Sequence, residues 1–367
     1  MKELSPVKLL GELIRIPSVN PEGEPGVENP GEREVALFLE KPLRELGAEV
    51  ELREVLEGRP NVVACFPSDR PGKPRLLLAP HTDTVSVIGM TISPFSGEER
   101  EGKIWGRGAS DTKGPMSAML CALSRIREEI PFLSHEIWFA GLMGEESGQH
   151  GAKALASEKK FDFVIAGEPT GLKTVHAHKG SLWVTLHSQG KAVHASAPEQ
   201  GENAIYRMTT AIERIREQVI PELGGREHSL LGCSTLSVGT IRGGSKTNIV
   251  PDHCEATIDI RTIPGEDPMR IMNLLRKAAP DLKISHHGSE PLFTDPAHPL
   301  IEKLSSLGAT PVGAPWFCDA AVFATKGMPA VALGPGSISQ AHTADEWISV
   351  KDLEEGVDFF ARFLLSL

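Results

Sequence analysis

The run Leu76-Leu-Leu-Ala79 admits few settings. Three consecutive leucines read as a short buried strand, and the strand stops at Pro80. His81 follows at once, with Asp83 two residues on. Ligands bind where the strands of an open α/β sheet end. A neutral imidazole placed there can hold a metal through one ring nitrogen. A carboxylate close in sequence can accept a hydrogen bond from the other nitrogen and fix the tautomer. A surface loop that happens to hold His and Asp is the competing reading of this stretch, so the rest of the chain must decide.

The flanking segments fit an α/β sheet. Val7, Leu9, Leu10, Leu13 and Ile14 give a helical spacing over residues 6–16, ended by Pro17-Ser-Val-Asn-Pro21. A Gly/Pro/Glu-rich stretch up to Pro30 reads as an exposed loop. Residues 32–46 form a second amphipathic helix, and residues 49–55, 61–66 and 75–79 read as strands. A helix is expected at 116–126, followed by apolar strands at 136–140 and 163–166. Past residue 178 the pattern becomes strand, helix, two strands and a helix, with a last short strand at 282–286. This is a small α+β unit, taken as an insertion over 178–287 in a domain made of 1–177 and 288–367. His286-His287 then reads as a hinge or linker. Residues 299–307 and 350–365 are expected as helices, and 329–333 as a strand.

Several apolar runs end in an acid. Gly144-Glu145-Glu146-Ser-Gly148 follows one strand, and Gly167-Glu168-Pro169-Thr170 follows another. Two adjacent carboxylates at the end of a buried strand are unusual, because each is better solvated in water. Neighbouring side chains on extended backbone point to opposite sides, so one can face a metal and the other a reacting water. Asp111, in Gly106-Arg-Gly-Ala-Ser-Asp111-Thr-Lys-Gly114, sits at or just before a helix start, where an Asp also serves as an ordinary cap. His342 lies in a Gly/Ser-rich segment near the end of the chain. Taken together, His81, Asp111, Glu146, Glu168 and His342 suit a two-metal site. Their carboxylates return three of the four charges of two divalent ions, and imidazole with carboxylate suits zinc, with cobalt or manganese as alternatives. Glu145 is left over as a general base.

Composition narrows the function. The net charge of -11 offers no basic surplus to neutralise phosphates, so a nucleic-acid partner is not expected. No apolar run approaches the ~20 residues of a membrane span. The first residues carry charge and no long apolar core, so no signal peptide is expected. Cys65, Cys121, Cys233, Cys254 and Cys318 lack paired spacing, which suits reduced thiols in a cytoplasmic protein and argues against a thiolate metal site.

The motifs His81-Thr-Asp83, Gly108-Ala-Ser-Asp111-Thr-Lys-Gly114, Gly144-Glu145-Glu146-Ser-Gly148, Gly167-Glu168-Pro169-Thr170 and Gln340-Ala-His342 occur in an order that resembles the M20 metallopeptidases. That family includes acetylornithine deacetylase, succinyl-diaminopimelate desuccinylase and carboxypeptidase G. The resemblance implies a zinc-exopeptidase-like α/β catalytic domain with an inserted ferredoxin-like lid and dimerisation domain. It implies that His81 and Glu168 bind one metal, Glu146 and His342 the other, and that Asp111 bridges both. Asp83 would orient His81, and Glu145 would move a proton from water to the leaving amine. It also implies a cis peptide bond at Asp111–Thr112.

Lys191-Ala-Val-His194-Ala-Ser resembles the family's lid histidine, which polarises the scissile carbonyl in a neighbouring active site; a structural histidine is the alternative. Gly243, Ser245 and Asn248, in Gly243-Gly-Ser-Lys-Thr-Asn248-Ile-Val-Pro251, and Arg261 match positions that bind substrate in relatives. Arg261 offers a planar fork for a carboxylate, with a surface ion pair as its alternative. His176 and His178, Trp316 and Trp347 read as structural.

The resemblance therefore implies a cytoplasmic, homodimeric amidohydrolase acting on a small N-acyl amino acid. The segment around His342 and Trp316-Phe-Cys-Asp319-Ala-Ala place an acetylornithine deacetylase ahead of a desuccinylase, aminoacylase or dipeptidase. A binding protein that kept the fold and lost the chemistry should lack a ligand or the base, and here all six residues are present.

Overall fold

The computed structural model describes residues 3–22 and 31–367; residues 23–30 of the stretch expected as an exposed loop lie outside them. The chain divides into two compact units, one of Met1–His176, Phe293–Val312 and Cys318–Leu367, the other of Ala177–Leu292 and Gly313–Phe317.

The first unit is built on a mixed sheet whose strands run in the order Glu49–Leu56, Arg59–Cys65, Glu136–Gly141, Arg75–Ala79, Phe163–Ala166 and Ala330–Ala332. The first two form an antiparallel hairpin, and Arg59–Cys65 is antiparallel to Glu136–Gly141. From there the pairings to Arg75–Ala79, Phe163–Ala166 and Ala330–Ala332 are parallel. The leucine run explains its own position. Leu76 and Leu78 pair with Phe163 and Ile165 on one face, while Leu77 and Val164 point the other way, and all are buried. Strands covered on both faces read as continuous apolar runs, as parallel central strands do. The helices Pro6–Ile14, Lys113–Arg125 and Val350–Leu365 pack together, and their apolar faces join Leu76, Leu78, Phe139 and Phe163 in one core.

The second unit carries an antiparallel sheet in the order Thr235–Gly243, His253–Thr262, Gly180–Gln189, Lys283–Ser289. Its helices Ala204–Arg214 and Pro268–Ala278 follow the first and third strands in sequence. This is a strand–helix–strand–strand–helix–strand unit of ferredoxin-like order. Alternate residues Leu182, Val184 and Leu186, with Cys254, Ala256, Ile258 and Ile260, form its core with Met208, Ile271 and Leu275. His286 and His287 are not a hinge. They lie inside the last strand, paired with Val184 and Trp183, and the crossing back to the first unit follows at Leu292–Phe293. His176 and His178 are buried in the strand Thr174–His178, where His176 Nδ1 lies 2.8 Å from the carbonyl of Thr294.

Candidate metal centre

The strands Glu136–Gly141, Arg75–Ala79 and Phe163–Ala166 are parallel neighbours, so their carboxyl ends and the loops beyond them lie along one edge of the sheet. Pairing continues past the strands. Leu142 N–H donates to Pro80 at 3.0 Å, Thr82 N–H to Leu142 at 2.8 Å, and Gly167 N–H to Ala79 at 3.2 Å. These bonds hold the loops of His81, Glu145 and Glu168 side by side. Asp111 arrives from the turn before the helix Lys113–Arg125. Thr112, not Asp111, occupies the N-cap position, so the Asp111 carboxylate is free of capping duty. The Asp111–Thr112 peptide bond is cis. His342 adopts a left-handed backbone, φ 62°, and its side chain is 55% exposed.

These loops bring five distant residues together. His81 Nε2 lies 3.1 Å from Asp111 Oδ1, and His342 Nε2 lies 3.3 Å from Asp111 Oδ2 and 3.2 Å from Glu146 Oε2. Among the described residues, three groups place their ligand atoms within 4.8 Å of one another: His81, Asp111 and Glu168; Asp111, Glu146 and His342; and His81, Glu145 and Glu146. Asp111 belongs to the first two of these, and its two oxygens face different imidazoles.

The donor set fits divalent cations. His81 Nδ1 lies 2.9 Å from the carbonyl oxygen of Asp83, which can only accept, so Nδ1 carries the hydrogen and Nε2 turns a lone pair toward a carboxylate oxygen. Such a contact needs a proton or a metal ion between the two atoms. Glu146 Oε1 is buried with no hydrogen-bond partner among the described residues. The electrostatics of the site point the same way. Burial opposes a charged His81, yet hydrogen bonds to Asp111 and Asp83 outweigh it and raise its pKa well above the imidazole range. Hydrogen bonds to Asp111 and Glu146 raise His342 to about 10. Burial raises Glu145 and Glu168, with further contributions from neighbouring carboxylates. Cations placed here would take the role of those protons, and nitrogen and oxygen donors suit zinc, cobalt or manganese.

Asp83 does more than meet His81. Asp83 meets His81 mainly through its backbone carbonyl; its carboxylate is farther, at 3.4 Å. That carboxylate also accepts from Asn20 Nδ2 at 2.7 Å and from the backbone N–H groups of Glu145 and Glu146 at 3.0 Å each. It therefore places the turn that presents both glutamates. Glu32 supports the same turn, accepting from Gly144 N–H at 2.9 Å while pairing with the buried Arg59. Asp319 is 1% exposed, and burial, with the charge of Asp83, raises its pKa to about 7 against the opposing pull of His81 and Gln149. No motif pattern singled out the roles of Glu32 and Asp319; an acid inside an apolar segment was the available signal for Asp319, whereas Glu32 stands among charged neighbours.

In the second unit, His194 is exposed and its Nδ1 accepts from Ser196 N–H at 3.2 Å. The neighbouring Ala195 N–H donates to the Asn248 carbonyl at 3.0 Å, and Gly243 and Ser245 line a groove of about 910 Å³. Arg261 pairs with Asp259 at 3.0 Å and lies over the Phe317 ring.

Comparison with known proteins bears on the whole chain. The sequence profile of peptidase family M20/M25/M40 matches residues 77–366. The chain belongs to this family. Acetylornithine deacetylase of Photorhabdus laumondii subsp. laumondii is 31% identical over 362 residues, covering 94% of this chain and 92% of that protein. The same enzyme of Proteus mirabilis is 31% identical over 370 residues, covering 95% and 93%. Among solved structures, a tripeptidase of Staphylococcus aureus superposes with a TM-score of 0.78 at 25% identity, covering 98% of this chain and 96% of that one. This M20 protein is thus a hydrolase of mixed α/β fold. Among its described residues no helix is long and apolar enough to cross a membrane, and its five cysteines form no disulfide.

Proposed function

We propose that this chain hydrolyses the amide bond of a small N-acyl amino acid, with N-acetylornithine as first candidate, using two divalent metal ions, zinc foremost. The observation that carries the reading is Asp111, whose two oxygens lie 3.1 Å and 3.3 Å from the Nε2 atoms of separate histidines. His81, Asp111 and Glu168 would hold one ion, and Asp111, Glu146 and His342 the other. Bound there, such ions polarise a carbonyl and make water more acidic. Acetylornithine deacetylases at 31% identity over most of the chain support the substrate class.

The protein's own residues supply the rest. Glu145 is buried, and its pKa lies well above the carboxylate range because burial and the charges of Glu168, Asp319 and Glu146 oppose ionisation. A buried carboxylate beside the metal ligands can take a proton from water and return it to the departing nitrogen. Ser196 N–H can only donate, so His194 Nδ1 accepts and Nε2 carries a hydrogen. His194 can therefore donate to an oxyanion, a role typically worth about 10²–10³ in rate. Arg261 would exchange Asp259 for the substrate carboxylate, with Asn248, Gly243 and Ser245 completing the grip. The second unit would act as lid and homodimer contact, and the enzyme would be cytoplasmic.

The test is a panel of acetyl-, succinyl- and formyl-amino acids, with N-acetylornithine first, assayed with the zinc- or cobalt-loaded protein. Turnover of N-acetylornithine that falls about 10²–10⁴-fold in Glu145→Ala supports the reading. Full activity in that variant removes Glu145 as the base, and no turnover of any acyl amino acid removes the reading. The Staphylococcus aureus tripeptidase favours a second reading, hydrolysis of short peptides. Tripeptides in the same panel separate the two.

A further inference from the structure

We propose that Glu346 is a positioning residue that clamps the loop of Asp111 to the loop of His342, so that the two carboxylate–imidazole contacts are built before any ion arrives. The proposal rests on the reading of this site as a metal centre.

Glu346 is 0% exposed. Its Oε2 accepts from Arg107 Nη1 at 2.8 Å and Gly108 N–H at 3.0 Å. Its Oε1 accepts from Ser110 N–H at 2.8 Å and Asp111 N–H at 3.0 Å. Two donors on each oxygen fill a carboxylate taken out of water, which is otherwise a costly group to bury. The main chain repeats the tie. Gly106 N–H donates to the Glu346 carbonyl at 3.0 Å, and Ser110 Oγ donates to the Trp347 carbonyl at 2.9 Å. Arg107 extends it, donating through Nε to the Ser86 carbonyl at 3.0 Å, three residues past Asp83. The clamp thus joins the segments that carry His81, Asp111 and His342. A carboxylate needed only for solubility would face water. One needed only for packing would be better served by an apolar side chain.

Gln at this position keeps the shape but must turn an amide NH₂ toward two N–H donors, whichever way it lies. The experiment measures binding of zinc alone by chelator competition, and the visible absorption spectrum of the cobalt-loaded protein, in wild type, Glu346→Gln and Ser110→Ala. Loss of an outer contact to a ligand typically weakens metal binding about 10–100-fold, and that loss is expected in Glu346→Gln, with an altered cobalt spectrum and a fall in kcat larger than the change in KM. Ser110→Ala removes only the hydroxyl tie, so a smaller weakening in the same sense is expected. It carries the test if Glu346→Gln does not fold. Wild-type zinc affinity and cobalt spectrum in the folded variants overturn the clamp, even if their thermal stability falls. Failure of the wild type itself to bind zinc overturns instead the reading of the site as a metal centre.

Discussion

Replacing Asp83 by Asn tests the claim that this carboxylate builds the glutamate turn. Its Oδ2 receives Asn20 Nδ2 at 2.7 Å and Glu146 N–H at 3.0 Å, and its Oδ1 receives Glu145 N–H at 3.0 Å. An Asn at 83 best keeps its carbonyl toward Asn20 and Glu146, which sets its NH₂ against the Glu145 N–H. The opposite orientation strands two donors instead of one. A buried donor left unmatched costs about 1–3 kcal/mol. If the turn relaxes to recover that energy, Glu145 moves, and kcat falls by roughly 5- to 150-fold, the same energy read as a barrier. If the turn holds, the cost is seen in unfolding. The assay pairs urea unfolding of the metal-free protein with kcat and zinc affinity of the loaded one. Asn20→Ala, which removes one donor and leaves the carboxylate, should cost less in kcat. Wild-type stability, kcat and zinc affinity together in Asp83→Asn would refute the assignment.

Three further outcomes are expected. The metal-free protein should lose stability as pH rises from 6.5 toward 10: the folded pKa of His342 is raised to about 10, so its contribution is full below 6.5 and vanishes through 10. His342→Asn should flatten that part of a thermal-midpoint-against-pH curve. Arg59→Met should destabilise by about 3–5 kcal/mol in urea unfolding, because it leaves Glu32 buried at 0% exposure without its cation. Gly114→Ala sets a Cβ 2.4 Å from the Ala109 carbonyl at the start of the helix after Asp111. Overpacking of about 1–3 kcal/mol is expected in thermal unfolding, with weakened zinc binding.

What the sequence disclosed follows from how strongly each segment is dictated locally. The strand of Leu76–Leu78 and those of Ile137 and Val164 were legible because apolar runs bounded by turn residues have few other uses. The gathering of His81, Asp111, Glu146, Glu168 and His342 was legible only as a set, through motif order. Short elements were not. Lys103–Trp105 and Trp347–Ser349 are three-residue strands held by pairing with each other, and no window of sequence shows it. The helix His150–Glu158 has small side chains and little apolar contrast. His286 and His287 carry a polar pattern that suggests a linker. Their extended form comes from the neighbouring strand, through pairing with Val184 and Trp183. The work of Asp83 on the glutamate turn was hidden because it depends on Asn20, 63 positions away.

Glu346 collects the N–H of a residue 235 positions upstream. Closing so long a loop comes late in folding, after local contacts have formed. An unfinished or C-terminally shortened polypeptide could collapse around its central strands and still bind zinc poorly. Acquisition of tight zinc binding during refolding would therefore time the docking of the last segment rather than compaction of the core.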